Sequence, residues 1–513
     1  MPALPGGRWQ KTPTPTSSDP KEGTVDTDAA LAKVKKLYAE LVRRRPTIET
    51  LDEYYEGEQP LEYASREWSE FHKDRYKGFA DNWDSVVADA IGERIRVTGI
   101  EIPGARDEDT KKLWADWESN DMGEQSSQGF LETVVASRSA IIVWGNDDNE
   151  PEASWEHPSQ VVVEYAAGNR RRKLAALKAW VDGKTEYAIL YTREALWKFQ
   201  RPFDGVKVRN GVTENGLEVV GTSVRDFTDD GRPWDQWQPS GDDEWPLTNP
   251  LNEVPVVELP NRPRLLRGPI SDVQGTKAMQ DAINLLWAFL FAGADHASLP
   301  ARVVLGQEPP KLPILNSDGQ KVGEKPVDLK DLQHGRLLWL TGQNAKIGEW
   351  SRADLKAFTD VMEIAVGHIG AQTRTPAHYF VANKGLSNVN GETLTATETP
   401  LVKKAEEFDL YSQRPLRELW RLFALVRGDK GLAEAARRAH TVFANPAIRG
   451  EAQLADALSK KKDMGYPLEY LMELDGLDRP TRERVLEMKR RESEDPDFAD
   501  AVKRLVPGSG DDE

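Results

Sequence analysis

Three groups of residues in this chain of 513 residues have the chemistry to hold an ion or move a proton, and none completes a catalytic set. Asp242, Asp243 and Glu244 stand in a row and could take a hard cation if oxygens from elsewhere joined them. They follow Gly241 in a loop-like stretch with Pro233 and Pro239, so a solvated turn is the plainer reading and no metal is expected. The seven histidines are scattered. The nearest pair, His368 and His378, falls on opposite sides of Thr375-Pro376, which places both as packed or surface residues and not as ligands. Lys460-Lys-Lys462 and Lys489-Arg-Arg491 are basic runs of the kind that line a solvated helix face. No G-x-x-x-x-G-K-[ST], H-E-x-x-H, G-x-S-x-G or G-x-G-x-x-G is present. The absence of cysteine excludes disulfides, thiolate metal sites and a cysteine nucleophile. The expectation is a protein that is not an enzyme and carries no cofactor.

The elements around these residues have a mechanical character. Ser351-Arg-Ala-Asp354 has a helix-starting form, and Leu355, Phe358, Met362, Ala365 and Ile369 make one apolar stripe. That helix should end near Gln372, before Thr375-Pro376. The segment Val381 to Gly391 is small and polar, as a freely turning backbone requires. A longer helix follows from Glu392, with Leu394, Leu401 and Phe408 spaced by seven. Pro400 and Pro415 fall inside it and predict two or three segments up to Val426. Upstream, Ser271-Asp-Val-Gln274 has the form of a capping box that opens a helix to Ala297, roughly 40 Å at 1.5 Å per residue. Its stretch from Ala282 to Ala294 is apolar on every side, so it must be covered by its own chain or by neighbours. About a dozen apolar residues cannot span a bilayer, and Asp281 and Asp295 flank them. Between the two helices, Pro300 to Trp350 reads as a small insert. It has short strands at Arg302–Leu305 and Arg336–Leu340, a turn at Asn316–Gly319 and extended backbone at Glu308–Pro313.

The rest divides by pattern. Residues 1–25 lack apolar spacing and read as a disordered arm, with no signal peptide visible in Met1–Pro20. Amphipathic helices are expected at Leu31–Leu41, Thr47–Glu56, Trp83–Ile95, Asp109–Asn120 and Gln125–Arg138. After Ser139 come short apolar or alternating runs: 141–144, 161–163, 177–181, 188–191, 196–199 and 254–259. These read as antiparallel strands. Helices and strands in blocks argue an α+β fold. Trp234 and Trp237 look exposed and suit a contact surface. Past Gly428, helices are expected at 432–441, 447–464, 467–474 and 479–492. The length calls for subdomains, while 39% apolar residues and sixteen Trp supply a substantial interior.

This order of elements, with certain phrases, resembles the portal proteins of tailed bacteriophages, in particular those of long-tailed phages of actinobacteria. The phrases are Tyr54-Tyr-Glu-Gly57, Asn82-Trp-Asp-Ser-Val-Val87, Glu93-Arg-Ile-Arg-Val-Thr-Gly99, His157-Pro-Ser-Gln160 and Lys277-Ala-Met-Gln-Asp281. Thr375-Pro-Ala-His-Tyr379, Leu386-Ser-Asn388 and Gly391-Glu392 continue the likeness, which runs from about Leu31 to Lys489. It implies a portal-type subunit: arm 1–25, wing 26–268, first stem helix 269–299, clip insert 300–350 and second stem helix 351–375. A channel loop (376–392), a long kinked helix (393–428), a helical crown (429–495) and an acidic tail (496–513) would complete it.

The resemblance also implies a homo-oligomeric ring, expected to be a dodecamer, at one capsid vertex, and double-stranded DNA passing through its channel. The terminase large subunit would dock on the insert, with head–tail connector, major capsid and scaffold proteins as further partners and no membrane. The location would be the virion, after assembly in the host cytoplasm. Asn383, Lys384, Ser387, Asn388 and Asn390 would face the channel, and Lys460, Lys461 and Lys462 could touch packaged DNA from the crown. The net charge of −17 suits a conduit that repels a duplex and does not grip it. Rival readings are another non-enzymatic virion protein, such as a connector or minor capsid protein, and a packaging-motor enzyme, which the missing P-loop disfavours.

Overall fold

The computed structural model describes residues 27–61, 80–203, 231–237, 245–298, 302–305, 311–315, 320–326, 337–340, 355–380, 391–447 and 451–494. The turn at 316–319, the capping stretch 351–354 and the carboxylates Asp242, Asp243 and Glu244 lie outside these residues. So do the terminal stretches 1–25 and 496–513. The chain divides into two compact units, one of residues 1–56, 84–275 and 370–513, the other of residues 57–83 and 276–369.

In chain order the first elements are α1 (Thr27–Glu56), α2 (Trp83–Gly92), β1 (Val97–Glu101), α3 (Asp107–Ser119) and α4 (Met122–Val135). Strands follow: β2 (Arg138–Gly145), β3 (Pro151–Glu156), β4 (Val161–Ala166), β5 (Asn169–Asp182), β6 (Thr185–Thr192), β7 (Ala195–Pro202), β8 (Asp235–Gln236), β9 (Leu247–Thr248) and β10 (Val256–Pro260). Next come α5 (Lys277–Ser298), β11 (Arg302–Leu305), β12 (Lys311–Leu315), β13 (Lys321–Pro326), β14 (Leu337–Leu340), α6 (Leu355–Thr373) and α7 (Gly391–Val426). The last are α8 (Lys430–Ala435), β15 (His440–Phe443), α9 (Glu451–Asp463), α10 (Leu468–Leu474) and α11 (Arg479–Glu494). The blocks of helix and strand make the fold α+β, as their grouping predicts.

The larger unit is built on two antiparallel sheets. β4 to β8 lie side by side in chain order, with β9 also on β7, and β10, β2 and β3 form the second sheet. The strand runs read from the sequence between 141 and 259 lie in these sheets or at their edge, and β3 joins them without having been expected. α1 covers the first sheet with Ala30, Val34, Leu37, Tyr38 and Leu41 against Leu177, Ala188, Leu190 and Phe199. It is a single 30-residue helix that continues through Pro46, where two helices were expected. Side chains before the proline hold it, Tyr38 Oη donating to Glu186 at 2.6 Å and Arg45 Nε to Ser159 O at 2.9 Å, and Ile48, Leu51 and Tyr54 are buried after it. Trp234 corrects the exposed-contact reading. It is buried, with the Arg201 guanidinium 4.4 Å from its ring centre and Arg201 paired with the buried Glu186. Trp237 is half-buried beneath Lys198, 3.8 Å from its ring centre.

The main core lies around α7. Leu401, Phe408, Leu416, Leu419, Trp420, Leu422 and Phe423 are buried with residues of α3, α4 and β2. Trp420 lies 5.2 Å from Trp117 and 6.4 Å from Trp114, ring centre to ring centre, and donates Nε1–H to Thr441 Oγ1 at 2.9 Å. α7 is one 36-residue helix containing both prolines, not the two or three segments expected. Pro400 deprives the Ala396 carbonyl of its donor, and Ala396 is exposed, which lets solvent satisfy it. After Pro415, the fully buried Leu416, Leu419 and Trp420 fix the helix by burial, which outweighs propensity.

Two expected boundaries shift. The helix expected at 432–441 is short: α8 stops at Ala435 and a 3₁₀ turn covers Ala436–Arg438. The chain then enters β15, which pairs antiparallel with β1 from Val97↔Phe443 to Glu101↔His440. Ser271 does not open α5 directly. Its Oγ accepts from Val273 N at 3.2 Å in a turn, and the helix starts at Lys277.

In the smaller unit, α5 holds the stretch 80–83 with side-chain amides. Gln280 Oε1 accepts from Trp83 N at 2.9 Å, Asn284 Oδ1 accepts from Asp81 N at 3.0 Å, and Trp287 Nε1 donates to Asp81 Oδ2 at 2.6 Å. α6 approaches α5 where Gly293 faces Leu355. A Cβ on the glycine would stand 2.9 Å from Leu355 Cδ2. β11 and β14 pair in parallel, and β12 with β13 antiparallel.

Gly129 in α4 has no room for a side chain, because a Cβ there would lie 2.0 Å from the Trp155 indole. That indole donates to Ser139 Oγ at 2.7 Å and meets Phe130 edge-on at 5.2 Å. Gly129→Ala must displace the ring. Overpacking of this kind costs about 1–3 kcal/mol, to be read as a lowered chemical-denaturation midpoint. An unchanged midpoint would contradict the packing.

Candidate functional site

The candidate site is formed by the described residues on either side of 381–390. Asn383, Lys384, Ser387, Asn388 and Asn390 lie outside the described residues, so the site is built from what brackets them. On the near side α6 ends in a tight turn, with Arg374 in the left-handed region at φ 61° and Thr375 N donating to Gly370 O at 3.0 Å. The turn closes over Gly370, where a Cβ would be 3.0 Å from the Phe380 ring and 3.1 Å from Thr375 O. Pro376 then starts a single 3₁₀ turn, Ala377–Tyr379. On the far side α7 begins at Gly391.

Arg94 joins the two sides. Its guanidinium donates to Tyr379 Oη at 2.6 Å, to Pro446 O at 2.8 Å and to the carboxylate of Glu398 on α7. His378 Nε2 lies 2.6 Å from the other oxygen of Glu398. The Arg94 and Glu398 side chains are only 6% and 5% exposed. A charged pair so deep needs further polar contacts around it. Here Tyr379 and the Pro446 carbonyl accept from Arg94, and His378 lies against the second Glu398 oxygen, while Arg94 Nε is buried without a hydrogen-bond partner among the described residues. The planar guanidinium fork serves three directions at once, which an ammonium could not do as rigidly.

Further charged contacts hold α7 along its length. Lys404 Nζ lies 3.1 Å from Asp272 Oδ2, both buried, and Arg262 Nε lies 3.1 Å from the same carboxylate. Burial drives the Lys404 pKa below its ordinary value against the pull of Asp272. Arg374 reaches Glu407 at 3.3 Å, Arg421 pairs with Glu253, and Arg427 Nε meets Asp116 at 2.8 Å. Asp409 has no such partner for its buried Oδ1 among the described residues. Burial, then the charge of Glu406, pushes its carboxyl up to about 8.

Of the sequence-predicted residues, Lys460 and Lys462 are exposed and Lys461 is half-exposed, all in the last turn of α9. Lys460 is already paired with Asp456 at 2.6 Å. Cations there also complement the helix dipole. Two groupings were missed by reading the sequence. One is the Arg94 node. The other joins Asp52, Glu132 and His157, with His157 Nε2 at 3.1 Å from Glu132 and 3.5 Å from Asp52. Burial and the surrounding carboxylates raise Asp52 to about 7 although His157 opposes this. Burial pulls the His157 pKa down, yet its hydrogen bond and charge interaction with Glu132 and the charge of Asp52 outweigh that and raise it. Residues so far apart in sequence carry no spacing signal. No described helix is long and apolar enough to cross a membrane.

These contacts tie Arg94, the turn after α6 and the start of α7 together. The chain belongs to the family described as "Phage portal protein, SPP1 Gp6-like", which it matches over residues 34–496. It is 24% identical to the portal protein of Mycobacterium phage L5 over 382 residues, 73% of this chain and 71% of that one. To the portal protein of Mycobacterium phage D29 it is 26% identical over 410 residues, 75% of each. Among solved structures it aligns with a chain of the neck of a native gene transfer agent particle computed with C12 symmetry, at 12% identity and TM-score 0.34, covering 74% of this chain and 86% of that one. A chain of the virion of the native gene transfer agent particle gives 13% identity and TM-score 0.34, covering 87% and 98%. As a member of the family the chain is a structural, non-enzymatic component of a phage particle.

Two outcomes test this site. Arg94→Ala leaves Glu398 buried without its cation, which costs about 3–5 kcal/mol. Hydrogen exchange at residues 377–380 should accelerate along with the fall in global stability, and unaltered exchange there would contradict the node. Asp409 binds its proton more tightly in the fold than at the ordinary carboxylate value of 3.8. The stability it contributes is therefore whole below about pH 4 and is lost as pH rises to about 8. Asp409→Asn should flatten that part of the stability profile and be more stable than the parent above about pH 8; two parallel profiles would refute the assignment.

Proposed function

We propose that the chain is the subunit of a portal ring of twelve copies at one capsid vertex, through which double-stranded DNA is packaged and ejected. The observation that carries this reading is the family match, which spans nearly the whole chain. In this reading residues 26–268 are the wing and 269–299 and 351–375 the stem helices. The clip is 300–350, the channel loop 376–392, the long helix 393–428 and the crown 429–495. β15 adds a strand to the crown, which was expected to be helical.

Uncovered apolar residues support a neighbour for each copy. Val361 and Ile364 on α6 are 50% and 59% exposed. Leu285 and Leu286 are half-exposed. A helix apolar on all sides requires cover, and the described residues leave it incomplete. The terminase large subunit docks on the clip during filling, and head–tail connector proteins take its place afterwards. Capsid and scaffold proteins surround the ring, which assembles in the host cytoplasm and ends in the virion.

Lys384 meets phosphates in passing, while Asn383, Ser387, Asn388 and Asn390 offer hydrogen bonds. Such contacts are weak and independent of base sequence. In this reading Lys460, Lys461 and Lys462 touch packaged DNA from the crown. Native mass spectrometry with negative-stain imaging should give rings of about twelve copies with a central hole, the ring count resting on the family resemblance and the uncovered faces above. A monomer that stays unassembled when co-expressed with capsid and scaffold proteins would overturn the reading. Deleting 383–390 should leave rings intact and impair packaging or DNA retention.

A further inference from the structure

The chain is acidic, yet one open cleft of about 410 Å³ is lined by Arg171, Arg414, Arg417, Arg421 and Arg437, with Glu418 as the one acid. Three of these arginines come from α7 at positions 414, 417 and 421. Steps of three and four put them on one helix face as neighbours. Arg171 comes from the tip of the β4–β5 hairpin, where Arg170, Arg171 and Arg172 are all exposed. Arg437 comes from the 3₁₀ turn after α8.

The carboxylates nearby are already engaged. Glu418 pairs with Lys173 at 2.7 Å, Glu253 with Arg421, and Glu434 with Arg437 at 2.6 Å. Arg414 donates to the Arg170 carbonyl at 3.1 Å and Arg417 to the Ala439 carbonyl at 2.9 Å. Neither pairs with a carboxylate among the described residues, nor does Arg171. Backbone carbonyls orient the Arg414 and Arg417 guanidinium groups without neutralising them. In a chain of net charge −17, such a concentration of positive charge inverts the local field.

We propose that this cleft is a phosphate-binding site that takes the backbone of double-stranded DNA. Guanidinium groups match phosphate oxygens two at a time. The stripe from 414 to 421 is about 10 Å long at 1.5 Å per residue, and one DNA strand presents a phosphate about every 3.4 Å along the axis. A row of arginines therefore meets a row of phosphates. A protein partner would need several carboxylates in the same line. The choice of DNA as the phosphate source rests on the portal reading; the anion affinity of the cleft does not.

The test uses the full-length protein and a short fluorescent duplex, titrated by anisotropy over a range of salt concentrations. Arg171→Gln with Arg414→Gln and Arg417→Gln should weaken binding at least tenfold. It should also reduce the slope of log affinity against log salt by about 2.7, three contacts at about 0.9 each. Arg171→Gln alone, at an exposed hairpin tip, keeps the fold intact and should reduce the slope by about 0.9. Unchanged affinity and slope in both variants overturns the proposal, as does a parent protein that binds no duplex. Competition by inorganic phosphate at equal phosphate concentration assigns the cleft to the free ion and overturns the DNA assignment. Loss of ring mass with unchanged duplex affinity assigns it to a second copy of this chain and overturns the proposal too. A protein that forms no ring yet binds duplex through these arginines upholds the cleft and rejects the portal reading.

Discussion

The larger unit depends on the ion pair between Arg94 and Glu398, which ties the stretch after α2 to the start of α7. Arg94 follows α2, Glu398 lies near the start of α7, and Tyr379 and His378 sit on the turn between α6 and residues 381–390. A buried pair is expensive in desolvation and gives little net stability beyond a packed apolar alternative. Its use here is positional: a guanidinium with fixed directions sets where the turn after α6 stands relative to the start of α7. The 3₁₀ turn, the left-handed Arg374 and the close packing at Gly370 all serve the same placement.

α7 extends that arrangement through the unit. Its apolar side enters the main core beside Trp114 and Trp117, its charged side chains reach Asp272 and Glu253, and Arg427 just past its end reaches Asp116. One helix thus carries the core, the node and the arginine cleft. The net charge of the chain hides this division, because the acidic excess is spread over the molecule and the arginines of α7 are concentrated on one stretch.

Much of the fold could be read from local pattern. Strands with β-branched and aromatic residues appear where alternation places them, and the order helix, insert, helix, loop, long helix follows from apolar stripes and proline stops. What could not be read was non-local. Pro46, Pro400 and Pro415 signal breaks, yet Tyr38, Arg45, Leu416 and Trp420 hold the helices through them by contacts the local sequence does not announce. His440 and Thr441 look like the end of a helix until β1 is placed beside them. Arg94 is one arginine among many, and nothing in its neighbourhood points to Glu398 some three hundred residues on. Trp234 seemed exposed because it sits among turn residues, whereas its ring covers Arg201. The residues 383–390 and the carboxylates 242–244 fall outside the described structure, so the sequence remains the basis for what is said of them.

The small sheet of β1 and β15 has a consequence for how the chain reaches its native form. Val97 cannot find Phe443 until synthesis has reached that residue, far along the chain. At about 5–20 residues per second, the ribosome leaves β1 waiting for tens of seconds. During that time its edge, and the apolar faces of α3 and α4 that α7 will cover, are without their final partners. Contacts of such long sequence separation also slow folding. The acidic charge of the chain then acquires a second use: it keeps unfinished copies apart while each awaits its own C-terminal strand.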